Sequence, residues 1–228
     1  MSKNIIIINS YIRNKVMAVI GVQGVGKTAT VIQTIDQMRE RGDNVAFICE
    51  KCMGFDALKK DIVKQLIPGA KNNIGTADVD AILNKMKTSI SGDKRVIIII
   101  DNAHQYSDVL LKQIYSEFNR PFYLILVGRA ELKEMIERNK LDVVYNQIDP
   151  MNCKDTEEYI WFRLTKAGYP TDKPNPFKDC IQEIFEATGG IPRKINILCE
   201  KLLEIGQSYG VRIISKEMVG EAKEVVKL

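Results

Sequence analysis

Eight consecutive residues, Gly21-Val22-Gln23-Gly24-Val25-Gly26-Lys27-Thr28, meet the spacing G-x-x-x-x-G-K-[ST] in full. The chemistry that this spacing serves is the holding of a phosphate chain. The glycines let the backbone curl until successive N–H groups point at phosphate oxygens. A helix opening near Lys27 and running on through Ala29 adds its positive end. The Lys27 ammonium neutralises the β- and γ-phosphates, and the Thr28 hydroxyl is a ligand for Mg²⁺. Gly21 to Ala29 is therefore the predicted nucleotide-binding segment.

Two further groups join this loop. Asp101 ends the run Val96-Ile97-Ile98-Ile99-Ile100, and a carboxylate at the tip of a buried strand completes a Mg²⁺ shell opposite Thr28. Its plainer reading is a cap on the next helix. Arg193, in Gly189-Gly190-Ile191-Pro192-Arg193, opens an amphipathic helix. Its guanidinium either reaches back to the γ-phosphate or lies on a solvated helix face. Cys49 and Cys52 form the single C-x-x-C among five cysteines, and His104 is the one histidine. Half a zinc site without its other half points to free, mostly buried thiols.

The elements that must position these groups alternate. Val16 to Ile20 reads as a strand entering the loop, and Val31, Ile35 and Met38 follow at helical spacing. Gly42-Asp43-Asn44 breaks that helix before a strand at Val45 to Cys49. Leu58, Ile62 and Leu66 mark a helix ending at Pro68-Gly69, and a polar loop spans Lys71 to Thr76. Val79, Ile82, Leu83, Met86 and Ile90 mark another, closed by Gly92. The β-branched run before Asp101 is apolar on both faces, as a central parallel strand requires. Strands at Phe122 to Val127 and Val143 to Ile148 flank a helix carrying Leu132, Met135 and Ile136. Alternation of this kind predicts an α/β fold with a parallel sheet covered on both faces. Past Asp149-Pro150 the periodicity is helical throughout. The expected division is a P-loop NTPase core over 1–150 and an all-helical subdomain over 151–228.

Composition sets outer limits. With 33 basic and 29 acidic residues the net charge is +4, a mild excess that permits contact with nucleic acid without requiring it. No apolar run approaches the ~20 residues of a membrane span. Ile5 to Ile8 is too short for a signal h-region and reads as a first strand or packing arm. A cytoplasmic location is the expectation.

Together, Gly21 to Thr28, Asp101-Asn102-Ala103-His104, Leu126-Val127-Gly128-Arg129-Ala130-Glu131-Leu132 and Gly190-Ile191-Pro192-Arg193-Lys194-Ile195-Asn196 resemble successive motifs of AAA+ ATPases of the ExeA/MuB/TnsC type. Arg163-Leu164 to Ala167-Gly168 fits the helical lid of that group. The resemblance implies ATP with Mg²⁺ as cofactors, Arg193 as the lid arginine and Arg129 at the strand-4 sensor position. It also implies assembly of identical subunits on DNA in transposition, with a transposase or another protein as partner, or service to secretion machinery.

The chain departs from that pattern at its hydrolytic position. The resemblance places a glutamate after Asp101, where this chain has Asn102. An amide hydrogen-bonds water but takes no proton, and loss of a general base costs ~10²–10⁴ in rate. Glu50, at the tip of the neighbouring predicted strand, and His104 are the candidate substitutes. The sensor position holds Arg129 in place of an amide. For the arginine finger acting in trans, Arg138 is the nearest candidate. The expectation is an ATP-binding, DNA-associated regulator that hydrolyses ATP to ADP slowly. An ExeA-like secretion ATPase and a nucleotide-gated switch or loader are the alternatives; a small-molecule kinase fits the helical subdomain poorly. Lys59, Lys60 and Lys64, and Lys85, Lys87, Lys94 and Arg95, are the candidate DNA tracks.

Overall fold

A computed structural model describes residues 16–50, 52–67, 75–89 and 95–227. The expectations for Ile5 to Ile8, Pro68-Gly69, Gly92, Lys94 and the loop up to Ile74 lie outside these residues. Thr76, expected in that loop, instead starts a helix.

Among the described residues five strands form one parallel sheet: β1 (Val16–Ile20), β2 (Asn44–Ile48), β3 (Val96–Ile100), β4 (Tyr123–Gly128) and β5 (Val144–Gln147), in the order β2-β3-β4-β1-β5. Every residue of β1 and β3 is buried, which is why both read as unbroken apolar runs. The crossovers carry α1 (Lys27–Glu40), α2 (Phe55–Leu66), α3 (Thr76–Ser89), α4 (Asp108–Phe118) and α5 (Ala130–Arg138). One face of the sheet packs Ala18, Ile98, Ile100 and Leu126 against Leu58, Ile62, Leu83, Ile114 and Leu132 from four of these helices. Edge strand β2 is closed in part by a side chain. Gln65 accepts from Phe47 N–H at 2.7 Å and donates to Phe47 C=O at 2.9 Å, taking the place of a further strand.

The chain forms two compact units. One holds the described residues up to Val22 and Lys27–Ile148; the other holds Gln23–Gly26 and the residues from Asp149 onward. The second contains α6 (Cys153–Lys166), α7 (Ile181–Thr188), α8 (Pro192–Ser208) and α9 (Lys216–Val226), around Ile160, Phe177, Ile184, Leu198 and Leu202. Asn152 caps α6 by accepting from Asp155 N–H at 2.8 Å. The segment Gly189 to Pro192 is a built corner. Gly189 takes the left-handed conformation that ends α7, and Pro192 opens α8. A Cβ at Gly190 would lie 1.9 Å from the Met151 carbonyl oxygen, so no larger residue fits. Among the described residues no helix is long and apolar enough to cross a membrane.

Candidate functional site

The loop after β1 takes its shape from Gly24 (φ 81°) and Gly26 (φ 99°), both in the left-handed region that favours glycine. Val25 between them is buried, while Val22 and Gln23 are exposed. Lys27 begins α1 and folds back on the loop. Its ammonium donates to the carbonyls of Gly21 at 2.8 Å and Val22 at 2.9 Å. Burial lowers its pKa, Asp101 opposes that shift, and Arg129 adds to it. A cation that rests on neutral carbonyls beside a second cation is prepared to exchange them for phosphate oxygens.

Asp101 follows β3, and its N–H donates to Ile48 C=O at 2.8 Å, extending the β2–β3 ladder by one bond. The residue is 6% exposed. Oδ2 accepts from the Thr28 hydroxyl at 2.5 Å and Oδ1 from Asn102 N–H at 2.7 Å. Strands lie ~4.8 Å apart, so β3 stands about 10 Å from β1 across the sheet. Thr28, in the first turn of α1, nonetheless reaches the carboxylate. One hydroxyl and one carboxylate oxygen, converging on one point, form a hard-oxygen donor pair suited to Mg²⁺ with its remaining positions filled by water and phosphate.

Asn102 is left-handed (φ 52°, ψ 33°), a conformation that asparagine tolerates better than most residues. It turns the chain into the one-turn 3-10 helix Ala103–Gln105, which carries His104. Opposite, Gly128 ends β4; a Cβ there would meet Leu132 at 2.7 Å, so α5 packs too closely for any other residue. Arg129 and Glu131 follow at the start of α5, and their charges act on both Lys27 and His104. The first unit thus gathers Lys27, Thr28, Asp101, Asn102, His104 and Arg129. It adds Glu131, which sequence reasoning did not select as a site residue. An acid two positions after Arg129, in a helix's first turn, was its available signal.

Glu50 lies exposed just past β2, on the edge of the sheet away from β4 and β1. Its charge acts on the Cys52 thiol. Arg138, in the last turn of α5, is held in a two-pronged pair by Asp108, at 3.0 and 2.8 Å. Arg193 lies in the second unit, where its N–H donates to Gly24 C=O at 3.2 Å. A Cβ at Gly24 would come 2.8 Å from that of Arg193. Cys52 is buried, with Sγ 3.5 Å from Asp61 Oδ2, and burial pushes its thiol up to about 11. It is protonated at neutral pH, unlike a metal-ligating or redox thiolate.

The lysine tracks need correction. Lys59 is buried, bonded to Asp80 at 2.6 Å and to Asp56 at 3.1 Å. Lys87 is paired with Glu117 at 2.6 Å, and Arg95 lies over the Tyr123 ring. Lys59, Lys87 and Arg95 are thus engaged within the unit, while Lys64 is exposed and paired with Asp61 at 3.8 Å.

A profile described as an AAA domain matches residues 12–136, over half of the chain. The chain is 25% identical over 198 residues to general secretion pathway protein A of Aeromonas hydrophila, covering 80% of this chain and 35% of that protein. It therefore spans about a third of that relative's length. Its fold is similar to that of Drosophila ORC bound to DNA, with a TM-score of 0.65 at 20% identity, covering 97% of this chain and 58% of that one. It is also similar to the Aeropyrum pernix ORC1 protein in complex with DNA, with a TM-score of 0.66 at 14% identity, covering 99% and 64%.

Proposed function

We propose, from the premise that the chain belongs to the AAA domain family, that it is a DNA-associated regulator of mobile-element type, assembling with itself when ATP and Mg²⁺ bind. Its coarser description, an AAA+ nucleotide-binding ATPase-like protein, follows from the family. The observation that carries the reading is the convergence of Thr28 and Asp101 beside Lys27. In this reading Gly21 to Ala29 wrap the phosphates, Lys27 neutralises them, and Thr28 and Asp101 hold Mg²⁺. Arg129 senses the terminal phosphate. The core runs to residue 150, and 151–228 form a lid whose arginine is Arg193. Asn102 supplies no proton acceptor, so hydrolysis is slow, with turnover below ~1 s⁻¹.

The DNA part is supported by similarity to two proteins solved with DNA and by charge. Residues 1–148 hold 21 of the basic and 16 of the acidic side chains, so the positive excess lies there. A second reading, a secretion ATPase, is favoured by the Aeromonas relative. Size-exclusion chromatography with light scattering, with and without ATPγS and duplex DNA, separates the two. The first reading expects a nucleotide-dependent assembly on DNA whose affinity falls steeply with salt. A monomer under all conditions, or salt-insensitive binding, rejects it.

A further inference from the structure

His104 belongs to the charged cluster of the first unit, yet the function proposed above leaves it without a role. Its turn is pinned on both sides. Ala103 and Tyr106 are buried, and the Tyr106 hydroxyl accepts from Cys52 N–H at 3.3 Å. The imidazole itself is half-buried. The charges acting on it are those of Arg129, Glu131, Lys27 and Asp101; three of these also act on Lys27. Its Nδ1 is buried and has no hydrogen-bond partner. A packing role is served better by an apolar ring, which fills the space without stranding a polar atom.

Resting on the nucleotide reading, we propose that His104 is a second residue, beside Arg129, through which this chain distinguishes a nucleoside triphosphate from a diphosphate. The imidazole turns about its Cβ–Cγ bond, and Nδ1 then donates its N–H to an oxygen of the terminal phosphate drawn in by Lys27 and Arg129.

Three features of the site support this assignment. Burial, and then the neighbouring Arg129, lower the pKa of His104. The ring is thus neutral at pH 7, with one N–H to give, and adds no third cation to the pair already present. The left-handed backbone of Asn102 commits its own N–H to Asp101, so that group is not free for a phosphate. The turn holding His104 is short and anchored, so the ring moves while the backbone stays. The bond exists with a triphosphate and is lost with a diphosphate. A hydrogen bond to a charged group is worth about tenfold or more in affinity.

His104 is the single histidine of the chain, so its ring resonances in a heteronuclear NMR spectrum need no assignment. The full chain is titrated separately with Mg-ATPγS and Mg-ADP. Nδ1 is expected to shift with the first and not with the second. The ratio of the two dissociation constants is expected to fall about tenfold in His104→Ala and His104→Phe. It is expected to return in His104→Asn, whose amide nitrogen sits where Nδ1 sits. His104→Phe is expected to melt no lower than the parent. Identical ring spectra with both nucleotides, or a parental ratio in folded His104→Phe, overturns the proposal. If the parent binds neither nucleotide, the nucleotide reading falls first; tight binding of both with an unchanged ratio sinks the role of His104 alone.

Discussion

Replacing Asn102 by glutamate places a carboxylate beside Asp101 and asks whether a missing proton acceptor limits hydrolysis. A positioned general base contributes ~10²–10⁴ in rate, about 3–5.5 kcal/mol of barrier. Two features of the backbone oppose the full gain. Residue 102 is left-handed at φ 52°, and a Cβ-bearing residue other than asparagine or aspartate is disfavoured there by about 1–2 kcal/mol. Escape to an extended backbone breaks the 2.7 Å bond to Asp101 Oδ1, and a bond to a charged group is worth about 1.5–3 kcal/mol. The chain takes the cheaper course and stays left-handed, so the new carboxylate is imperfectly aimed. The expected gain therefore falls short of that range, at about 10–100-fold. The strain appears as a melting temperature lower by about 2–8 °C. Phosphate release at saturating Mg-ATP measures the first and thermal denaturation the second. Asn102→Gly is the control: it tolerates the backbone, melts near the parent and gains no turnover. Turnover of Asn102→Glu within threefold of the parent, with Mg-ATP still bound, would refute the reasoning.

Other changes test separate parts of the molecule. Lys27→Ala removes a charge-assisted contact of about 1.5–3 kcal/mol and should weaken nucleotide binding roughly 10–100-fold, read as loss of the nucleotide-induced rise in melting temperature. Gln65→Ala opens the clamp on edge strand β2 and should cost about 1 kcal/mol in urea denaturation. Gln65→Glu should not rescue it, because an ionised carboxylate cannot donate to Phe47 C=O. Lys59 gives a pH test. Burial lowers its pKa, but its bonds to Asp80 and Asp56 raise it by more, so the net shift is upward. A raised lysine contributes stability that is complete below its unfolded value of ~10.4 and is lost as pH climbs through the folded one. Lys59→Met should therefore be less stable than the parent at pH 7, by about 1 kcal/mol since both carboxylates can rehydrate. The gap in melting temperature should narrow above pH ~10.5; a gap that widens there contradicts the sign.

The sheet and the loop were legible in the sequence because their signals are local. Five β-branched residues before Asp101 can be buried on both faces only in a central strand, and the glycine spacing before Lys27 serves one backbone path. The corner at Gly189-Gly190-Ile191-Pro192 was visible as a motif, but its reason was not. The Met151 carbonyl that excludes a Cβ at Gly190 lies 39 residues away in sequence. The partners of Lys59 and Lys87 were hidden for the same cause. Lys59, Lys60 and Lys64 look alike on one helix, yet Lys59 is buried and finds a half-exposed Asp80 on the next helix. Charge on a helix face says nothing of its partners until the neighbouring helix is placed.

The hydrolytic position shows where residue identity and backbone must be read together. As an identity, Asn102 is a glutamate lost. As a conformation, it is one of the few residue types that accept a left-handed turn. Its N–H fixes one oxygen of Asp101 while Thr28 fixes the other. The second reading gives asparagine a positive role. It aims the carboxylate and reverses the chain, so that His104 stands among the charges around Lys27. If that role dominates, Asn102→Pro, which has no N–H to give Asp101 and cannot turn left-handed, weakens Mg-nucleotide binding as well as stability. If the lost glutamate were the whole account, Asn102→Pro would bind Mg-nucleotide as the parent does. Isothermal titration of that one variant against Mg-ATPγS decides between them.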